Sequence, residues 1–116
     1  MGPTLRPLTL KIAMAVFSEP DAAWSRAYAA AMFGISKSML SARMLYEGSA
    51  LTHIICEQRL MRTLVDVAQG KPHRARYGFP SVERRDSAFF DRFELGIEDL
   101  NFIARVGRFS LSKQLG

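Results

Sequence analysis

Apolar positions in the first third of the chain recur at the three- to four-residue spacing of amphipathic helices. The first such set comprises Leu8, Leu10, Ile12, Val16 and Phe17. It predicts a helix near residues 6–18, which Pro20 ends. An alanine-rich run follows, with Asp21 before it in the place of an N-cap and Gly34 after it, where a chain can turn. These signals predict a second helix between Asp21 and Gly34.

Two more helices are predicted from the same kinds of signal. Ser36 is placed to cap a third helix over residues 37–47, which Gly48 ends. Ser49 is placed to cap a fourth helix of about 20 residues, which the glycine and proline within residues 70–72 end. The wide apolar face of this fourth helix consists of Leu51, Ile54, Ile55, Met61, Leu64 and Val65.

Helical signals weaken beyond the fourth helix. Residues 77–82 have the composition of a turn, "SAFFDRFEL" predicts a short helix ended by Gly96, and "IEDLNFIARV" predicts another ended by Gly107. No segment has a convincing strand period. We therefore predict an all-α fold in which a helix-turn-helix subdomain with a long linker helix occupies residues 1–68. A smaller helical part occupies residues 69–116.

Composition narrows the classes of protein that this chain can belong to. Its 116 residues carry a net charge of +5 and a pI near 9.9, which makes nucleic acid a reasonable first partner to consider. No apolar run approaches the ~20 residues of a membrane span, and the apolar stretch near the start is shorter than the ~7 to 15 residues of a signal-peptide core. We predict a cytoplasmic protein without membrane association, which a single cysteine fits.

Positive charge is densest within residues 71–85. This segment holds one acidic residue, Glu83, and five basic ones: Lys71, Arg74, Arg76, Arg84 and Arg85. It can supply contacts to phosphates, or it can be a solvated loop that arginine keeps soluble. The charge pattern alone leaves both interpretations open.

The stretch "MFGISKSML" at residues 32–40 has the features of a bend between two helices. A DNA-binding helix-turn-helix needs a small residue where its helices cross, a glycine in the turn and apolar residues that lock the pair. Ala30, Gly34 and Leu40 occupy such positions, and Phe33 and Ile35 flank the turn. The alternative is a helical hairpin that only builds a core.

A longer run, "AAAMFGISKSMLSARMLYEGSALTHIICEQRLMRTLVDV", resembles the first helix-turn-helix of the AraC/XylS family of bacterial transcription regulators. The resemblance covers residues 8 to about 67 and rests on an ordered series of residues. The series is Gly34, Ile35, Ser36, Leu40, Glu47, Gly48, Ser49, Leu51 and Arg59.

The resemblance implies a double-stranded DNA partner and a recognition helix over residues 37–47 that enters the major groove. On this helix we expect Lys37, Ser38, Ser41 and Arg43 to contact DNA, and the charge of the basic segment adds Arg74, Arg76, Arg84 and Arg85 as phosphate contacts. The turn and structural residues implied by the resemblance are Ala30, Gly34, Ser36, Leu40, Gly48 and Arg59. Polar groups on a buried helix need partners, so we expect Arg59 to hold loop carbonyls or a carboxylate.

The sequence also departs from the family pattern. Ala42 stands where the family usually has arginine, and Arg43 comes one residue later. Fragments of the family's second helix-turn-helix occur as "YGFPS" with "SAFFDRF", and as "FIARVGRFSLS", but neither is intact. This implies a degenerate or truncated second motif, and the family's usual effector-binding domain is absent from the sequence.

The sequence signals for metal binding or catalysis are weaker than those for DNA binding. His53, Cys56 and Glu57 lie close on one predicted helix, but a zinc site needs four ligands, and no second pair is near. We expect no metal, no cofactor and no enzymatic activity. The second half is rich in aromatic residues, which can fill a small core or drive association with a protein partner or a second copy: Phe89, Phe90, Phe93, Phe102 and Phe109.

The leading hypothesis is therefore a DNA-binding transcription regulator of AraC type, with tight or weak sequence specificity. The alternative is a small helical interaction protein, or a remnant of a regulator, that does not bind DNA specifically.

Overall fold

The computed structural model describes residues 7–71 and 75–115, with side chains described over 8–71 and 75–107. These residues form six helices and no strand, which confirms the all-α class. The helices are α1 (Pro7–Ser18), α2 (Arg26–Met32), α3 (Lys37–Tyr46), α4 (Leu51–Ala68), α5 (Val82–Phe93) and α6 (Ile97–Leu115). None of the helices within the described ranges has the length and apolar character that crossing a membrane requires.

Helix α2 begins later than predicted. Its N-cap is Ser25, whose hydroxyl accepts a hydrogen bond from the Tyr28 amide at 3.0 Å, so the prediction of a cap at Asp21 is wrong. Hydrogen bonds within the preceding turn and from Arg59 to the Ala22 carbonyl hold the residues between Asp21 and Ser25 outside the helix. The Trp24 indole donates to the Glu19 carbonyl at 2.8 Å, and the chain enters α2 from this turn.

The ends of α2 and α3 share one capping pattern. The backbone angle φ is +67° at Gly34 and +71° at Gly48, the left-handed conformation that glycine adopts at little cost. The next amide reaches back in each case, from Ile35 to the Ala30 carbonyl and from Ser49 to the Met44 carbonyl. The predictions that Gly34 and Gly48 end these helices are confirmed.

The starts of α3 and α4 differ. Ser36 caps α3 as predicted, since its hydroxyl accepts from the Met39 amide at 3.0 Å. The predicted cap at Ser49 is wrong, because Ala50 directly precedes α4 and its carbonyl accepts from Ile54. The Ser49 hydroxyl instead lies 3.2 Å from that of Thr9.

The chain divides into two compact units, Met1–Arg59 and Leu60–Gly116, so the division falls within α4. The first unit has a buried core drawn from its helices and the turn before α2: Leu8, Ile12, Val16, Trp24, Ala29, Ala30, Leu40, Met44, Ile54 and Ile55. The second unit has its own core of Leu60, Val67, Phe89 and Ile97. Each unit therefore buries apolar surface of its own.

Both helices predicted in the second half are longer than expected. Helix α5 begins at Val82 under a Ser81 cap and ends at Phe93, where Glu94 adopts a left-handed φ of 55°, so Gly96 does not end it. Helix α6 continues through Gly107, and the predicted stop there is wrong. A glycine inside a helix costs only about 1 kcal/mol relative to alanine, so a long helix can tolerate it. The predicted stop at Pro72 lies outside the described residues.

Candidate nucleic-acid interface

The bend between α2 and α3 is a tight turn of four residues, Phe33 to Ser36, and α3 packs against both α1 and α2. Ala30 is buried on the α2 side of the turn, and Leu40 is 1 % exposed on the α3 side. A cap at each edge fixes where each helix stops, so the two helices are separate rods and not one continuous helix.

The inward face of α3 consists of Leu40 and Met44, one helical turn apart and both buried in the core of the first unit. Glu47, directly after the helix, belongs to this side as well. Its side chain is almost fully buried, and the Thr9 amide at the start of α1 donates to it at 2.9 Å. The Thr9 hydroxyl donates to the same carboxylate oxygen.

The charge on Glu47 is stabilised where it lies. Burial by itself raises the pKa of the Glu47 carboxyl, but the hydrogen bonds from the Thr9 side chain and backbone outweigh it. The guanidinium of Arg43, 3.9 Å away, adds a favourable charge, and the pKa is lowered from its ordinary value. Glu47 therefore fixes the end of α3 to α1 as a carboxylate.

Helix α3 carries four of the eight residues predicted to contact DNA. Lys37 and Ser38, at the start of the helix, are exposed, and so is Ala42 one turn later. Ser41 is half-buried, and its hydroxyl accepts a hydrogen bond from the Arg26 guanidinium of α2 at 3.2 Å. Arg43 is exposed on the flank of the helix, beside Glu47.

Three large apolar side chains on α3 also face solvent. Leu45 is 81 % exposed and Tyr46 is 93 % exposed, and Met39 is exposed as well. All three side chains are absent from the predicted site. Projecting the helix at 100° per residue is the signal that finds them, since all three fall on the side away from Leu40 and Met44.

Leu45 also lines a shallow groove in the first unit. The groove has a volume of about 210 Å³ and lies between α3 and the first residues of α2 and α4. Its walls are Arg26, Leu40, Ser41, Met44, Leu45, Ser49 and Leu51. It is smaller than the ~300 Å³ at which small-molecule pockets usually begin.

The sequence around α2 and α3 is free of negative charge. Between Asp21 and Glu47 the chain has no acidic residue, whereas it has three basic ones, Arg26, Lys37 and Arg43. Because Glu47 is almost fully buried, the carboxylate nearest to α3 in sequence presents little negative charge to solvent. This stretch of the first unit therefore carries positive charge with no carboxylate of its own.

Arg59 holds the turn that precedes α2. From α4, its Nε donates to the Pro20 carbonyl at 2.9 Å and its Nη2 donates to the Ala22 carbonyl at 3.0 Å. Burial lowers the pKa of the guanidinium, and the charge of Asp21 partly opposes that effect. The planar fork of arginine suits this pair of acceptors.

The arginines of the basic segment fall into three groups. Arg76 and Arg84 are exposed, although Arg76 also donates to the Pro80 carbonyl at 3.0 Å. Arg74 lies outside the described residues. Arg85 is 1 % exposed, and its guanidinium donates to the Asp86 carboxylate at 2.7 Å and to the Ala75 carbonyl. Arg85 therefore cannot reach a phosphate, and its predicted place among the DNA-binding residues is wrong.

The remaining candidates are dispersed. His53 and Cys56 are exposed on α4, and within the described ranges no three histidine, cysteine, aspartate or glutamate side chains could together hold a metal ion. Of the aromatic residues in the second half, Phe89 lies in the core, and the Phe93 ring packs against it with 4.8 Å between the ring centroids. Phe90 and Phe102 are exposed. The side chain of Phe109 lies outside the described residues.

Comparisons of this chain with models of protein families, with curated proteins and with solved structures find no match.

Proposed function

We propose that this protein binds double-stranded DNA and acts as a transcription regulator of the kind that residues 8 to about 67 resemble, with α3 as its recognition helix. One observation carries the proposal. Helix α3 follows a tight turn, turns Leu40 and Met44 into the core, and presents Lys37, Ser38 and Ala42 to solvent. A helix exposed in this way fits the major groove, which is about 12 Å wide.

The charges at the start of α3 support an approach to phosphate. Lys37 is the first residue of the helix, where unpaired backbone amides also attract anions. Ser38 beside it can donate to a phosphate or a base. Arg26, the first residue of α2, adds a second cation. It donates one hydrogen bond to the Ser41 hydroxyl and has further N–H groups for a phosphate oxygen.

Arg43 and the second unit supply further cations. Arg43 is paired with Glu47 only at 3.9 Å and is about half exposed, so its side chain can turn to a phosphate at little cost. Within the second unit, Arg76 and Arg84 are exposed in the same way. We propose them as phosphate contacts of that unit, together with Arg74.

The first test is the salt dependence of DNA binding. A fluorescent duplex of about two helical turns, roughly 20 base pairs, is titrated with the protein between roughly 50 and 200 mM salt. Each phosphate contact contributes about one unit to the slope of log K against log salt. We expect Lys37→Ala and Arg43→Ala each to lower the slope by about one unit.

Lys11→Ala is the matched control. Lys11 is exposed on α1 and lies two residues from Thr9, so it points to the side of α1 away from the contact with Glu47. This variant loses the same charge as Lys37→Ala, and we expect it to leave the slope unchanged. Absence of binding at the lowest salt, or an equal loss of slope with Lys11→Ala, would refute the proposal.

The exposure of Leu45 and Tyr46 favours a second candidate function, that of a helical interaction protein. Apolar side chains as exposed as these are common at interfaces with a partner protein or a second copy. Sedimentation velocity of the protein, alone and as a Leu45→Ser and Tyr46→Ser double variant, tests this function. Self-association that the double variant abolishes, in a protein that does not bind DNA, would support it.

A further inference from the structure

We infer that α3 recognises the C5-methyl groups of pyrimidines in the major groove, those of thymine above all, through Leu45 and Ala42. The inference rests on the proposed function and specifies which feature of the DNA the helix contacts. It concerns the central stripe of the outward face of α3, which consists of Ser38, Ala42 and Leu45.

The geometry of α3 brings these three residues onto one line. They are spaced at four and three residues, the intervals that place side chains on the same face of a helix, and all three are exposed. At 1.5 Å per residue the stripe is roughly 10 Å long, which matches about three base pairs. Leu45 is the largest of the three and extends furthest from the helix.

The chemistry of the stripe limits what it can recognise. Guanine and adenine are usually distinguished by paired hydrogen bonds from arginine, lysine, asparagine or glutamine. The stripe has none of these side chains, and its only hydrogen-bonding group is the Ser38 hydroxyl. Arg43 lies on the flank, within 3.9 Å of Glu47. The groove feature that matches a leucine and an alanine is the methyl group of thymine.

The surroundings favour DNA over a protein as the occupant of this stripe. Lys37 lies beside Ser38, Arg26 donates to Ser41 at 3.2 Å, and the chain from residue 22 to residue 46 contains no acidic residue. An apolar stripe bordered by cations suits a surface that has methyl groups on its floor and phosphates along its edges, as the major groove does.

The experiment compares duplexes that differ only in the methyl group. An alternating adenine–thymine duplex is measured against its adenine–uracil counterpart, and an alternating guanine–cytosine duplex against its guanine–5-methylcytosine counterpart. We expect the methylated member of each pair to bind more tightly, by about fourfold for each methyl group that is buried.

Variants assign the effect to the stripe. We expect Leu45→Ala to abolish most of the difference within each pair and Leu45→Met, which keeps an apolar side chain of similar length, to retain it. Lys37→Ala is the contrasting control, because losing a phosphate contact weakens binding to all four duplexes equally and leaves the ratios unchanged. Leu45 is so exposed that its replacement leaves the core of the first unit intact.

The outcomes separate the inference from the proposed function. Absence of binding to all four duplexes refutes the proposed function, and the inference with it. Binding with equal affinity within each pair overturns the inference alone. A preference for thymine without a preference for 5-methylcytosine indicates duplex shape and also overturns it. A Leu45→Ala variant that keeps its methyl preference but loses self-association assigns Leu45 to a protein contact and overturns it as well.

Discussion

The same residue type serves opposite purposes at Gly34 and Gly107. Gly34 has a φ of +67° and ends α2, whereas Gly107 lies inside α6. A β-carbon would meet no atom within 4 Å at either position. Space therefore does not distinguish the two glycines, and the backbone angle does.

Alanine at these two positions should change stability in opposite directions. Gly34→Ala forces an L side chain into the left-handed region, which costs about 1 to 2 kcal/mol. Gly107→Ala removes the penalty of a helical glycine and should stabilise by about 0.5 to 1 kcal/mol. Urea unfolding followed by circular dichroism measures both. A stabilising Gly34→Ala would show that the turn is not left-handed in solution.

At the scale of the element, the carboxylate of Glu47 connects α1 to the end of α3. Because its pKa is lowered in the folded protein, its contribution to stability is complete above the ordinary pKa of about 4.3. The contribution is lost as the pH falls through the lower folded-state value. This contact holds the proposed recognition helix from its C-terminal end, while the turn at Gly34 holds it from its start.

Glu47→Gln should lower the free energy of unfolding by about 1 to 2 kcal/mol at neutral pH, because it removes the charge from two hydrogen bonds. We expect the difference from the original protein to close as the pH falls below about 4. Thr9→Val removes the hydroxyl donor and should show the same trend. Urea midpoints at a series of pH values measure it, and a difference that does not depend on pH would contradict this account.

Local chemistry predicts some of the helix boundaries and misses others for identifiable reasons. Gly34, Ser36 and Gly48 are predictable because a left-handed glycine and a serine cap each act within about four residues. The start of α2 is not predictable in this way, since Asp21 and Ser25 are equally good caps. The contacts of Trp24 and Arg59 with the turn decide between them. These contacts join residues up to 39 positions apart.

The candidate site also contains residues whose exposure the local sequence predicts and residues whose burial depends on contacts made only in the folded protein. The outward position of Ser38 follows from the inward position of Leu40, which the apolar spacing predicts. Lys37 is only three residues from Leu40, and it is exposed because it is the first residue of the helix. The burial of Arg85 does not follow from its sequence, because arginine is usually exposed and only folding brings the Ala75 carbonyl to its guanidinium. Charge density alone therefore overestimates the number of exposed cations in the segment from 71 to 85.

At the scale of the whole molecule, the chain forms two units, each with a core and a buried polar network of its own. No pattern in the sequence marks the division at Arg59 and Leu60, because the apolar positions of α4 continue across it. In the second unit, the nearly buried carboxylate of Asp66 accepts from the Tyr77 hydroxyl at 2.9 Å and from Arg62 at 3.2 Å. Lys71 lies 3.7 Å from the same carboxylate.

Tyr77→Phe should destabilise the second unit by about 1 to 2 kcal/mol, since it removes one partner of a buried carboxylate. Burial, aided by the hydrogen bond to Asp66, raises the pKa of Tyr77 to about 12. The unfolded chain releases this proton near pH 10, so the original protein should lose stability as the pH rises from about 10 towards 12. Tyr77→Phe should lose less over this range, as measured by urea unfolding. An equal loss of stability in the two proteins would contradict the raised pKa of Tyr77.

The absence of acidic residues between Asp21 and Glu47 has a practical consequence for attaching this protein to a solid support. Carbodiimide coupling joins carboxyl groups to an amine-bearing surface, and no residue of α2 or α3 offers one. Coupling through lysine amines, in contrast, would modify Lys37 at the start of α3. Immobilisation through carboxyl groups therefore leaves the proposed recognition helix chemically unaltered.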